Sequence, residues 1–186
     1  MCLVFGNSID RMPSIAFRGM SLVFKVRDLF ISTEKLLSNF SIMPGNTVVD
    51  YGCGPGSYLV TAAKMVGETG QAIGVDVHEL AVQSVAKRAN KENLKNMSAV
   101  LVENDKAEQL DDGIADVVYA LDMFHMVSDP KSMLKEVHRI CKPEGKLYID
   151  DGHQPRETTK QKIEQSGFWQ IAEETKRYLV CSPQVI

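Results

Sequence analysis

From residue 47 onward, short apolar runs alternate with longer stretches whose apolar positions recur every three to four residues. The runs at 47–51, 72–76, 99–103, 116–121 and 146–150 have the length and β-branched content of buried strands. Between them, 58–66, 79–90 and 132–141 carry the periodicity of amphipathic helices. This alternation predicts parallel strands joined by right-handed crossovers, and so a doubly wound α/β sheet. A further helix at 157–166 precedes two runs, 169–173 and 177–181, separated by three residues. That gap is too short for a crossover helix, so the pair predicts an antiparallel hairpin at the edge of a sheet that is otherwise mostly parallel.

The first forty residues differ in texture. Five of the seven phenylalanines lie there (Phe5, Phe17, Phe24, Phe30 and Phe40), and 21–30 has helical spacing of Leu22, Val23, Val26, Leu29 and Phe30. A second short helix is predicted at 34–40, ending before the turn formed by Met43, Pro44, Gly45 and Asn46. The expected organisation is an N-terminal helical cap over 1–45, acting as a lid, followed by one ligand-binding domain over 46–186.

Composition narrows the picture. At 186 residues the chain can bury a core without metal or disulfide support. Lysine and arginine number 21 against 24 acids, a net charge of −3 with no basic cluster, which argues against a nucleic-acid partner. The longest apolar runs, 1–5 and 117–121, span five residues where a membrane helix needs about 20, so no membrane partner is expected. Cys2, Cys53, Cys141 and Cys181 form no C-x-x-C pair, which fits reduced thiols and a cytoplasmic location, with no metal site.

The chemistry concentrates where the first strand ends. Val48-Val49-Asp50-Tyr51-Gly52-Cys53-Gly54-Pro55-Gly56-Ser57 places three glycines where a strand turns into a helix. Such a turn lets a ligand approach the backbone and offers free N–H groups to it. Ser57 stands where a dinucleotide fingerprint needs its third glycine, which disfavours a nicotinamide dehydrogenase. Asp76 ends the second strand, 26 residues after Asp50, and a carboxylate there suits two vicinal ribose hydroxyls.

With Asp50-x-Gly52-x-Gly54-x-Gly56 and Gly74-Val75-Asp76 in place, the chain resembles the class I S-adenosylmethionine-dependent methyltransferases from about residue 46 to 181. Asp116-Val117-Val118 with Leu121, Asp122 and His125 resembles the family's fourth-strand region. Leu134-x-Glu136-Val137-x-Arg139-Ile140-x-Lys142-Pro143-Glu144-Gly145 is similar to its L-x-E-x-x-R-V-L-K-P-G-G stretch. The resemblance implies a Rossmann-like seven-stranded sheet and S-adenosylmethionine as cofactor. It also implies contacts to that cofactor from Asp50, Gly52, Gly54, Gly56, Asp76, Val77, Lys106, Ala107 and Leu121. Lys106 stands where relatives carry an adenine-contacting aspartate; the backbone of Lys106 and Ala107, or Asp105 with the loop shifted by one residue, are the alternative contacts.

Among branches, the small-molecule methyltransferases of quinone biosynthesis and arsenite methylation look closest, although the cysteines do not reproduce an arsenite-binding set. The implied activity is in-line methyl transfer to a small, partly apolar acceptor, a chemistry in which positioning and desolvation supply most of the acceleration. His125 is a candidate general base or a loop residue, Asp122 is a second catalytic candidate, and Asp122 with Asp150 and Asp151 is a weaker candidate Mg²⁺ set. The competing expectation is an inactive S-adenosylmethionine-binding regulatory or scaffold protein.

Overall fold

A computed structural model describes Gly19, residues 32–102 and residues 106–185. The predicted helix at 21–30, the phenylalanines before Phe40 and the alternative contact Asp105 lie outside the described residues. In chain order the elements are α1 (Thr33–Leu37), β1 (Thr47–Tyr51), α2 (Ser57–Val66), β2 (Gln71–Asp76), α3 (Glu79–Glu92), β3 (Met97–Leu101) and β4 (Ala115–Ala120). A 3₁₀ turn (Phe124–Met126), α4 (Pro130–Ile140), β5 (Cys141–Asp150), α5 (Arg156–Ser166), β6 (Trp169–Glu174) and β7 (Tyr178–Pro183) complete the chain.

The seven strands form one sheet in the order β3-β2-β1-β4-β5-β7-β6. Neighbours from β3 to β5 are parallel, whereas β7 runs antiparallel to both β5 and β6. The doubly wound, mostly parallel sheet with an antiparallel edge is therefore the observed fold, with β7 inserted between β5 and the outer strand β6. Strand order reverses between β1 and β4, the place where an open α/β sheet leaves a crevice at its carboxyl edge.

Side chains alternate across the sheet and build one apolar layer on each face. Val48, Val117, Tyr119 and Tyr148 join Leu59, Ala62 and Val85 on one side. Val49, Val118 and Ile149 join Phe124, Leu134, Ile140, Ile163 and Trp169 on the other. Local chemistry sets the helix ends: Asp129 caps α4 by accepting from the Ser132 N–H at 3.0 Å with Pro130 in the first turn, and Gly167 closes α5 in the left-handed conformation.

Residues 32–45, which with Gly19 are the described part of the expected cap, contribute apolar side chains to the first layer. Leu36, Leu37, Phe40 and Ile42 are buried there, Phe40 stacks on Tyr148 at 4.1 Å between ring centroids, and the Tyr148 hydroxyl accepts from the Ser41 N–H at 2.9 Å. Strand β5 begins at Cys141, five residues before the predicted start at 146, because Cys141 pairs with Ala115 before the register shifts. Strand β3 likewise starts at Met97 rather than at residue 99, where Met97 pairs with Ala72. Among the described residues no helix is long and apolar enough to cross a membrane.

Candidate active site

The glycine turn is built as its sequence requires. Gly52, Gly54 and Gly56 have φ of 81°, 50° and 79°, values a side chain would oppose. The Gly52 and Cys53 N–H groups both donate to the Val75 carbonyl, at 2.7 and 3.1 Å, tying the turn to the end of β2. There is no room to spare: a Cβ on Gly52 would meet Met123 Cγ at 2.7 Å, and one on Gly56 would meet Val85 Cγ2 at 2.9 Å. Cys53 itself is buried with its sulfur against Gly74, and burial pushes its thiol well up, so it is a packing residue of the turn.

Asp76 has two structural bonds besides any to a ligand. Its Oδ2 accepts the Gly54 N–H and its Oδ1 the His78 N–H, both at 2.8 Å. Burial raises its carboxyl above the ordinary range, opposed by those two amides. One side chain thus shapes the glycine turn and the start of α3 together. Val77, next in the chain, is half-buried against the second apolar layer.

Asp50 is 2% exposed and lies on the Tyr119 side of the sheet. Burial, and then the charge of Asp50, push the Tyr119 phenol well above its usual range. At the end of β4, Leu121 is buried and Asp122 adopts φ 60°, a left-handed conformation uncommon outside glycine. Two partners secure it: its N–H donates to Asp150 Oδ1 at 2.9 Å, and its Oδ2 accepts the Tyr58 hydroxyl at 2.9 Å. Burial, with the charge of Asp122 adding to it, pushes Asp150 up to about 6. Asp76, Asp50, Asp122 and Asp150 therefore stand at or just beyond the carboxyl ends of β2, β1, β4 and β5, which are consecutive in the sheet.

His125 lies on the 3₁₀ turn beside this row. Its ring meets His153 edge-on at 4.9 Å between centroids, and its Nδ1 presses on Gly152 with no hydrogen-bond partner among the described residues. Burial first, and His153 next, lower its pKa and favour the neutral imidazole. Asp151, in contrast, is engaged by Arg156, whose Nε donates to its two oxygens at 2.9 and 2.7 Å. Among the described residues no group of three or more His, Cys, Asp or Glu is arranged to hold a metal ion.

Lys106 is exposed and Ala107 buried. The Ala107 N–H donates to Glu136 Oε1 at 2.9 Å and its carbonyl accepts from Arg139 Nη2 at 3.2 Å, so the backbone of Ala107 is turned toward α4. Sequence reading did not foresee the partners Tyr58, Met123, Glu136 and Arg139. For the last two a signal existed, because both sit in the L-x-E-x-x-R stretch, an acid and a base three residues apart on a helix.

A family model described as a methyltransferase domain matches residues 42–180. The chain is 30% identical over 159 residues to a demethylmenaquinone methyltransferase of Lactococcus lactis, covering 85% of this chain and 60% of that one. It is 33% identical over 117 residues to a 2-phytyl-1,4-naphtoquinone methyltransferase of Nostoc sp., covering 60% and 49%. Among solved structures, a SAM dependent methyltransferase from Aquifex aeolicus superposes with a TM-score of 0.80 at 27% identity, covering 92% of this chain and 97% of that one. The chain spans from 33% to 60% of the length of the first curated relatives it matches.

Proposed function

This chain belongs to the class I S-adenosylmethionine-dependent methyltransferase family, and on that premise we propose that it passes a methyl group from S-adenosylmethionine to a small, partly apolar acceptor by in-line displacement. The observation that carries the reading is the row of four carboxylates at consecutive strand ends around a three-glycine turn. A ligand carrying a ribose, a sulfonium and an ammonium group matches that row, since it presents two vicinal hydroxyl donors and positive charge to acceptors.

Each residue then has a task. Asp76 accepts the ribose hydroxyls while holding Gly54 in place. Gly52, Gly54 and Gly56 keep the backbone bare for close approach, and Asp50 and Asp122 supply negative charge beneath and beside the turn. Leu121, Val77 and Ala107 give apolar walls, and Lys106 meets the nucleobase edge through its backbone or its amine. Bound S-adenosylmethionine supplies a methyl group already activated on a sulfonium, so the chain's residues need to bind, orient and exclude water. His125, kept neutral by its surroundings, takes the proton of an acidic O–H or N–H acceptor.

The acceptor class rests on two supports. Two of the relatives are named as methyltransferases of quinone-type molecules, and Met126, 46% exposed, offers apolar surface next to His125 on the same turn. The cover role expected of the N-terminal residues belongs to the same proposal. The test is a screen of phenols, hydroquinones and amines with methyl-labelled S-adenosylmethionine. Label transfer to a hydroquinone or phenol supports the reading; a chain that binds the cofactor but labels no member of the panel refutes this acceptor class.

A further inference from the structure

Helix α4 carries two charged residues that the scheme above does not use. Glu136 is 5% exposed; its Oε1 accepts from the Ala107 N–H at 2.9 Å and from Arg139 Nη2 at 2.7 Å, and its Oε2 accepts from Arg139 Nε at 2.9 Å. Arg139 then spreads over the same stretch of chain. Its Nη1 donates to the Leu110 carbonyl at 2.8 Å and to Asp112 Oδ1 at 2.5 Å, its Nη2 to the Ala107 carbonyl at 3.2 Å, and its own carbonyl accepts from Gly113 at 2.8 Å.

A buried charge pair is a costly way to anchor a loop, and here apolar anchoring is already present, with Ala107 at 0% and Leu110 at 6% exposure. What the pair adds is direction. Ala107 and Leu110 lie between β3 and β4, outside the sheet's ladder, and the guanidinium fork with the carboxylate fixes their main-chain groups. The stretch starts beyond β3 at the carboxyl edge, where the Val102 N–H donates to the Asp76 carbonyl at 2.8 Å, and runs to the start of β4 at the amino edge, where Gly113 meets the Arg139 carbonyl, so its Lys106–Ala107 end is the part nearest the crevice.

We propose that Glu136 and Arg139 are positioning residues: by bracing residues 107–113 they fix the Lys106–Ala107 end of the stretch, which receives the nucleobase end of the cofactor. The inference rests on the cofactor reading above: with the ribose on Asp76 and the donor methyl toward Asp122, the base lies over the β3 side. Neither side chain touches the base; both act through Ala107 and Leu110.

The experiment compares wild type with Arg139→Met, Arg139→Lys and Glu136→Gln by three readouts: calorimetric affinity for S-adenosylhomocysteine, amide exchange of residues 107–113 without ligand, and thermal midpoint. For Arg139→Met the dissociation constant rises about tenfold or more, and exchange quickens at 107–113 while the core strands keep their protection. Glu136→Gln, which retains an acceptor for the Ala107 N–H, recovers much of the affinity. Arg139→Lys, which has no fork, recovers little. If Arg139→Met does not fold, Arg139→Lys and Glu136→Gln carry the same comparison. Native affinity in the arginine variants overturns the inference, as does a loss of protection spread evenly over the domain with affinity unchanged wherever the protein is folded. Wild type that binds no S-adenosylhomocysteine overturns both this inference and the function it rests on, whereas binding wild type with unaltered variants overturns this inference alone.

Discussion

Replacing Asp76 by alanine removes three interactions at one stroke. The Gly54 and His78 N–H groups each lose an acceptor at 2.8 Å, and, on the proposed cofactor reading, the ribose hydroxyls lose a charged one. The first two losses act on the protein: water reaches part of the site, so the cost is on the order of 1–2 kcal/mol of stability rather than the full penalty for two buried donors. The third acts on the ligand. Hydrogen bonds to a charged group contribute about 1.5–3 kcal/mol, which corresponds to affinity weakened by about 10- to 150-fold. Asp76→Asn separates the two effects, because its oxygen serves one amide while its NH₂ opposes the other and the charge is gone; affinity should fall between wild type and alanine. The assay is calorimetric titration with S-adenosylhomocysteine, paired with urea denaturation to establish that each variant is folded. A folded Asp76→Ala protein with the wild-type dissociation constant would refute the ribose assignment.

Gly54→Val places a β-branched side chain at φ 50°, a strain on the order of 1–3 kcal/mol, so cofactor binding is lost while circular dichroism still reports the sheet; retained affinity would reduce the turn to a structural role. Asp150, raised from the ordinary 3.8 to about 6, contributes stability that is complete below pH 4 and lost as pH rises through 6. Asp150→Asn should therefore gain about 1–3 kcal/mol relative to wild type between pH 4 and 7 in urea titrations, and a pH-independent difference would contradict the assignment. Deleting residues 1–30 should lower turnover on an identified acceptor more than cofactor affinity; full turnover in the truncated chain would remove the covering role.

The parts of this molecule that sequence revealed are those in which residue type is itself the constraint. Val48 and Val49 enter opposite apolar layers, and a short β-branched run that is apolar on both faces marks a buried strand in the sequence itself. The glycine turn was visible for the same reason, since three residues needing positive φ leave little choice but glycine. Strand β5 was foreseen only from 146, because Pro143, Glu144 and Gly145 interrupt its apolar pattern and its first pairing, Cys141 with Ala115, is set by the sheet. Partners set by tertiary approach were hidden. Tyr58 and Asp122 are 64 residues apart, Asp122 and Asp150 are 28, and nothing local announces that an aspartate will sit at φ 60°. The Ala107 amide is the instructive case: its residue type says nothing of its partner, and its N–H is held by a carboxylate 29 positions away.

The central claim is that the crevice at the carboxyl ends of β1, β2 and β4 holds S-adenosylmethionine, and the direct measurement is an equilibrium titration of the wild-type chain. Calorimetry with S-adenosylmethionine, S-adenosylhomocysteine and NAD should give saturable one-site binding for the first two, mutual competition between them, and no binding of NAD. A folded protein that binds neither S-adenosyl compound, or that prefers NAD, would contradict the account.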